Sequence, residues 1–226
     1  MYHPYIWGDD MIFKQARAGN YSKGRTGSIK YIVVHFTANN GDTAQNNLNY
    51  FANNVVSASA HYFVDEKEVC QSVKESDMAY HCGAKKYRHS ECRNYNSIGI
   101  EMCSRKDGAG KYYIKEETVV RTAELVKSLM KKYKIPVSRV LRHYDVTGKN
   151  CPAPFVENSA LWKNFLGRLG DDEVIKPIKI KVNGVMRTVN AIEKDGFNYV
   201  KLRDLADAKI AIGYDKVPIV EVKDNK

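Results

Sequence analysis

At 226 residues, 43% of them apolar and 27% charged, the chain has material for one core of ordinary size and a smaller appendage. No run approaches the roughly 20 apolar residues of a membrane span. The opening MYHPYIWGDDMIFKQARAGNYSKGRTGS also lacks the continuous apolar stretch of a secretion signal. The expectation is a chain made in the cytoplasm without a signal peptide and with no membrane insertion, which something else must release if it acts outside. A formal charge of +10, nearly all of it before residue 171, favours a polyanionic partner without saying which.

The first predicted element is a buried strand over Lys30 to Phe36 (KYIVVHF), a β-branched run with His35 at its end. After the polar turn TANNGD, Leu48 and Phe51 fall at helical spacing within Thr43 to Asn53. Ala60 to Val73 reads as a hairpin turning at Asp65 to Lys67. Ser76 to Asn96 is rich in loop residues and has no period. Ser97 to Cys103 (SIGIEMC) restores a strand whose alternation sends Ile98, Ile100 and Met102 one way and Glu101 the other.

The clearest helix runs from Glu116 to Tyr133. Val119, Ala123, Val126, Met130 and Tyr133 recur at spacings of three and four, the first turn is acidic, the last is lysine-rich, and Pro136 stops it. Val140 to His143 predicts a short strand feeding a polar loop, RHYDVTGKNCPAP, and Ser159 to Leu169 a closing helix. Strands interleaved with helices predict an α/β domain over residues 1–170, a mixed central β-sheet flanked by helices. The texture changes between Gly170 and Pro177. IKIKVNGVMRTVNAI then alternates on both sides of an Asn-Gly turn, the strongest short hairpin signal, and NYVKLRDLADAKI reads as a strand running into a short helix. Residues 177–226 are therefore expected to form a second, small α+β domain.

Three residues suggest chemistry. His35 and His143 sit at strand ends, and Cys151 lies in the polar loop, eight residues past His143. Two imidazoles and a thiolate suit zinc, which takes nitrogen and sulfur tetrahedrally, and three protein ligands leave the open fourth position of a catalytic site. On spacing alone the alternative stands: two capped strand ends and a buried thiol. The five cysteines are an odd total, which favours reduced thiols over a disulfide framework, with Cys82 and Cys92 as a pair or second metal clip in the minority reading. Glu101 is either a functional carboxylate or a solvated one.

IVVHFTA, SAHYFVD, YHCG, NSIGIEM and RHYDVTGKNCPAP occur in one order. Together they resemble the type 2 N-acetylmuramoyl-L-alanine amidases, zinc amidases related to peptidoglycan recognition proteins and found in many phage endolysins. The resemblance covers roughly residues 28–168. It implies cleavage of the amide between the lactyl group of N-acetylmuramic acid and the L-alanine of the stem peptide, in an endolysin or autolysin. It nominates His35, His143 and Cys151 as ligands of Zn2+, Glu101 as the catalytic carboxylate and Lys149 as the cation beside the developing oxyanion. Other branches use a hairpin tyrosine. Here the hairpin reads AHYF, with His61 at that register and Tyr62 one residue on, so either could take part. His81 and Asn96 match positions lining the glycopeptide groove, with simple turn residues as the alternative.

The implied partner is the peptidoglycan of a Gram-positive bacterium, reached after release to the cell wall, and not nucleic acid, for which an Arg-rich helix and clustered ligand pairs are lacking. A noncatalytic peptidoglycan-recognition protein is the alternative, against which Cys151 argues, since such members tend to lose that ligand. Residues 177–226 resemble, less specifically, the small modules behind clostridial amidases. They suggest a cell-wall-binding module, with homo-oligomerisation as the competing role.

Overall fold

The computed structural model describes residues 11–170 and, beyond them, residues 175–182, 185–194, 197–200, 205, 210–215 and 217–222. The chain divides into two units, Met1–Gly170 and Asp171–Lys226. The first begins with β1 (Ile12–Phe13), β2 (Tyr21–Ser22), β3 (Tyr31–Phe36) and α1 (Ala44–Asn53). Next come β4 (Tyr62–Val64), β5 (Val69–Gln71), β6 (Met78–Ala79), β7 (Ser97–Met102), β8 (Arg105–Lys106) and β9 (Tyr112–Tyr113). The unit finishes with α2 (Glu116–Tyr133), β10 (Val140–Arg142), α3 (His143–Thr147), α4 (Ala153–Glu157) and α5 (Ser159–Leu169).

Six strands form the central sheet in the order β1-β5-β4-β7-β3-β10. Parallel pairing joins β4, β7, β3 and β10, while β4 and β5 form the antiparallel hairpin, so the sheet is mixed as the pattern predicts. β3 is buried along its whole length, as expected of a β-branched strand covered on both faces. Alternation divides the sheet's side chains into two sets. Ile32, Val34, Tyr62, Val64, Ile98, Ile100 and Met102 pack against α2 and α5 in the main core. Tyr31 and Val33 face the other way, with Cys82, Cys92 and Val146. His35 and Glu101 lie on this second face.

Local chemistry explains the helix ends. Thr43 and Asn46 cap α1 reciprocally, each side-chain oxygen taking the other's amide at 3.1 Å. α2 closes on Lys134 in the left-handed region (φ 55°), two residues before the proline expected to stop it. α5 buries Phe165 completely, stacked on Trp162 at 5.5 Å and beside Phe155. Phe165→Ala is expected to cost about 3–5 kcal/mol. The check is a lower urea midpoint at unchanged slope.

One stretch differs from expectation. RHYDVTGKNCPAP is not an open loop: β10 stops at Arg142, His143 opens the single turn α3, and Ala153 opens α4. All five cysteines are free and buried. Among the described residues no helix is long and apolar enough to cross a membrane.

In the second unit β11 (Ile175–Val182), β12 (Val185–Lys194) and β13 (Phe197–Val200) form an antiparallel sheet, and β14 (Ile210–Asp215) pairs with β15 (Val217–Val222). β11 and β12 pair down to Val182 opposite Val185, the register a two-residue turn imposes. Pro177 sits on the edge strand, where a missing N–H is tolerated. The Asn-Gly turn lies outside the described residues, as does the helix expected after β13 apart from residue 205 and Ile210, which opens β14 instead.

Candidate metal centre

His35 and Glu101 are direct register partners on β3 and β7. Their side chains share the second face, with His35 Nδ1 4.0 Å from Glu101 Oε1. β10 runs parallel along the other side of β3, so the residue after it, His143, comes against His35 with ring centroids 4.6 Å apart. α3 is only one turn long. At its start the Asp145 carboxylate accepts the Arg142 amide at 2.9 Å and pairs with the Arg142 guanidinium at 2.7 Å, so it caps the turn and does not orient a histidine. Gly148 ends it at φ +85°, a conformation that favours glycine. The chain then doubles back, the Tyr144 amide donating to the Cys151 carbonyl at 2.9 Å. That turn brings Cys151 Sγ within 3.7 Å of His35 Nδ1.

One nitrogen from each of His35 and His143 and the sulfur of Cys151 lie within 4.8 Å of one another, and all three residues are buried. Burial is the first cause that pushes His35 well below its ordinary pKa, and His143 down to about 4 with Lys149 adding to the effect. Both imidazoles are thus neutral, as metal ligands must be. Burial, then the Glu101 charge, pushes the Cys151 thiol up to about 12. A dication would reverse that, because a coordinating thiol is deprotonated.

Burial also pushes Glu101 up to about 8, with Lys149 opposing it. Although 21% of the side chain is exposed, Oε2 is shielded and has no hydrogen-bond partner. An unpartnered carboxylate oxygen beside two neutral imidazoles and a thiol fits a cation or a proton donor there, and the N, N, S donor set fits zinc on its chemistry.

His143, one of the three donors, lines a cleft of about 760 Å³ together with Gly148 and Lys149 on one wall and Tyr80, His81 and Asn94 on the other. Lys149 is exposed at its rim. Most of the His81 ring is buried behind the wall, with Nδ1 3.1 Å from His35 Nε2.

The structure does not bring Tyr62, His61 or Asn96 to this cleft. Tyr62 falls on the opposite face of the sheet, its hydroxyl bonded to Glu75. His61 is fully buried, its Nδ1 accepting the Gly99 amide at 3.0 Å and its Nε2 2.5 Å from the Arg25 guanidinium. Asn96 spends its side chain on its own turn, accepting from the Arg93 amide and donating to the Glu91 carbonyl. It faces a separate groove with Tyr87 and Tyr95. Asn94, which the motifs did not single out, lines the cleft and holds it open by accepting the His81 and Cys82 amides at 3.2 and 2.8 Å.

A family model described as N-acetylmuramoyl-L-alanine amidase matches residues 25–154, a span that includes His35, Glu101, His143, Lys149 and Cys151. The chain belongs to this family. Its members are zinc amidases. N-acetylmuramoyl-L-alanine amidase CwlL of Bacillus licheniformis is 35% identical over 199 residues, 82% of this chain and 54% of that protein. The amidase BlyA of Bacillus subtilis (strain 168) is 38% identical over 154 residues, 62% and 41% of the two chains. This chain spans about half the length of the curated relatives it matches. Among solved structures, PlyL matches with a TM-score of 0.60 at 26% identity, covering 73% of this chain and 99% of that one. A mutant endolysin from Bacillus subtilis matches with a TM-score of 0.58 at 29% identity, covering 71% and 99%.

Proposed function

We propose that the first unit hydrolyses the amide between the lactyl group of N-acetylmuramic acid and the L-alanine of the stem peptide in Gram-positive peptidoglycan, with one zinc ion held by His35, His143 and Cys151. The observation that carries this is the convergence of three donors, two of them 116 residues apart in sequence, beside a carboxylate and next to a cleft that His143 lines. When bound, zinc supplies Lewis acidity to the scissile carbonyl and to the attacking water.

The chain's own residues supply the rest. Glu101 takes a proton from the attacking water at its unpartnered Oε2 and delivers it to the departing alanine nitrogen, which would otherwise leave as an amide anion. Lys149, exposed at the rim, is assigned to the oxygen that becomes negative, where a cation would stabilise the developing charge. Tyr80 and Asn94 on the opposite wall orient the glycopeptide. A noncatalytic recognition role would give neither the unpartnered carboxylate nor the third ligand a purpose.

Residues 177–226 are assigned to cell-wall binding, which would raise the local concentration of polymer at the cleft. Self-association through the same unit is the competing role. The whole then acts at the wall as an endolysin or autolysin. The test is digestion of purified Gram-positive peptidoglycan, followed by mass analysis. New alanine amino termini and intact glycan strands are expected, whereas new reducing sugars without such amines would sink the assignment.

A further inference from the structure

His35 has an unusual neighbour. Ligand histidines ordinarily donate their second ring N–H to a carboxylate, a carbonyl or water. Here the group 3.1 Å from His35 Nε2 is another imidazole, His81 Nδ1. His81 Nε2 lies 3.1 Å from Ser97 Oγ, and Ser97 Oγ donates to the Arg93 carbonyl at 2.6 Å. The rings of His35 and His81 meet edge-on at 89° with centroids 5.2 Å apart.

The end of this chain sets the direction of the two bonds next to it. A peptide carbonyl can only accept, so it takes the one proton Ser97 has to give. Ser97 Oγ must then accept from His81 Nε2–H, and an imidazole that carries its single proton on Nε2 offers Nδ1 as an acceptor. That acceptor matches only a His35 whose proton is on Nε2. The lone pair of His35 therefore lies on Nδ1, the nitrogen 3.7 Å from Cys151 Sγ and 4.0 Å from Glu101 Oε1.

The place of His81 is also built into the strand beneath it. A Cβ on Gly99 would stand 2.4 Å from His81 Cγ, so the ring rests directly on the one residue of β7 that has no side chain. Ser97 and Gly99 alternate with the core residues Ile98 and Ile100, which puts both of them on the metal-centre face.

We propose that His81 is a positioning residue that fixes the tautomer of His35, through a hydrogen-bond chain from His35 Nε2 to the Arg93 carbonyl, so that Nδ1 is presented to the metal. The purpose assigned to it rests on the metal-centre reading above, but the proton order does not. Nitrogen-15 correlation spectra of the His35 ring in zinc-free protein read that order directly, and competition with a chromophoric chelator reads zinc affinity.

The expected result is an Nε2–H tautomer in the unaltered chain. His81→Leu, which removes the acceptor but keeps bulk, should yield a mixture of tautomers and weaken zinc binding about 10- to 100-fold. His81→Asn, whose amide oxygen can stand where Nδ1 was, should restore most of both. If the leucine variant does not fold, Ser97→Ala removes the acceptor that orients His81 and should also erode the preference. An Nδ1–H tautomer in the unaltered chain, or an unchanged tautomer and affinity in the folded variants, would overturn the proposal and leave the metal centre standing. Failure of the unaltered chain to bind zinc would instead sink the metal reading, while the tautomer would still decide the hydrogen-bond order. A residue with a merely structural part would lower the unfolding midpoint without moving the His35 proton.

Discussion

Cys151→Ala is expected to abolish stoichiometric zinc binding and to lower amide hydrolysis by about 10⁴-fold or more. Of the donors within 4.8 Å of one another, Cys151 is the only one that can bring a negative charge. Two imidazoles alone leave too few ligands for zinc's tetrahedral preference. What is lost with the ion is the Lewis acidity that lowers the pKa of water from 15.7 toward about 7. The measurements are metal content after dialysis and release of alanine amino termini from peptidoglycan. A variant that kept one zinc per chain would remove Cys151 from the ligand set.

The same site predicts how affinity depends on pH. His35 and His143 are held neutral by burial, so they release no proton on binding near neutrality. The thiol of Cys151, pushed up to about 12, must release one. Zinc affinity should therefore rise about tenfold per pH unit between pH 6 and 8. A slope near zero would mean that the thiol is already ionised without metal.

How far the sequence foretold this site depends on which forces were local. The limits of α2 and α5 follow from apolar spacing and from residues at or near the helix ends, and both helices occur where the pattern puts them. The β7 alternation likewise separates Glu101 from Ile98, Ile100 and Met102. The pairing of His35 with Glu101 could not be read, because register belongs to two strands and neither states it alone. RHYDV looked like strand and loop because Asp and Thr favour turns. In the structure Asp145 instead caps a single helical turn by bonding backward to Arg142.

Tyr62 and His61 were candidates together, yet period-two alternation lets only one of two adjacent strand residues face a given side, and Tyr62 has the wrong parity. His81 lies in a segment without period, so its bond to His35, 46 residues away, left no local trace. One signal was available. A glycine inside the buried strand SIGIE marks a close approach, and the group that approaches Gly99 is the His81 ring.

Glu101→Gln is expected to keep zinc and lose about 10²- to 10⁴-fold in kcat, with KM little changed. The substitution preserves size and leaves the three donors untouched, since Glu101 Oε1 stands 4.0 Å from His35 Nδ1 and the carboxylate is not one of the converging ligand atoms. It removes a carboxylate whose shielded and unpartnered Oε2 has a free lone pair for a proton in transit. Burial pushes this carboxyl up to about 8, and Lys149 pulls against that shift. A dication at the neighbouring donors would pull in the same direction as Lys149, returning Glu101 to the basic form at neutral pH while leaving it basic enough to accept a proton from water. The loss should therefore appear in turnover and not in metal content or substrate affinity, because the group is needed only as the proton moves. Full turnover in a zinc-loaded Glu101→Gln protein would take the carboxylate out of the mechanism. Loss of zinc from the same protein would make Glu101 a ligand, and the site would then have four protein donors and no position left for the substrate's oxygen.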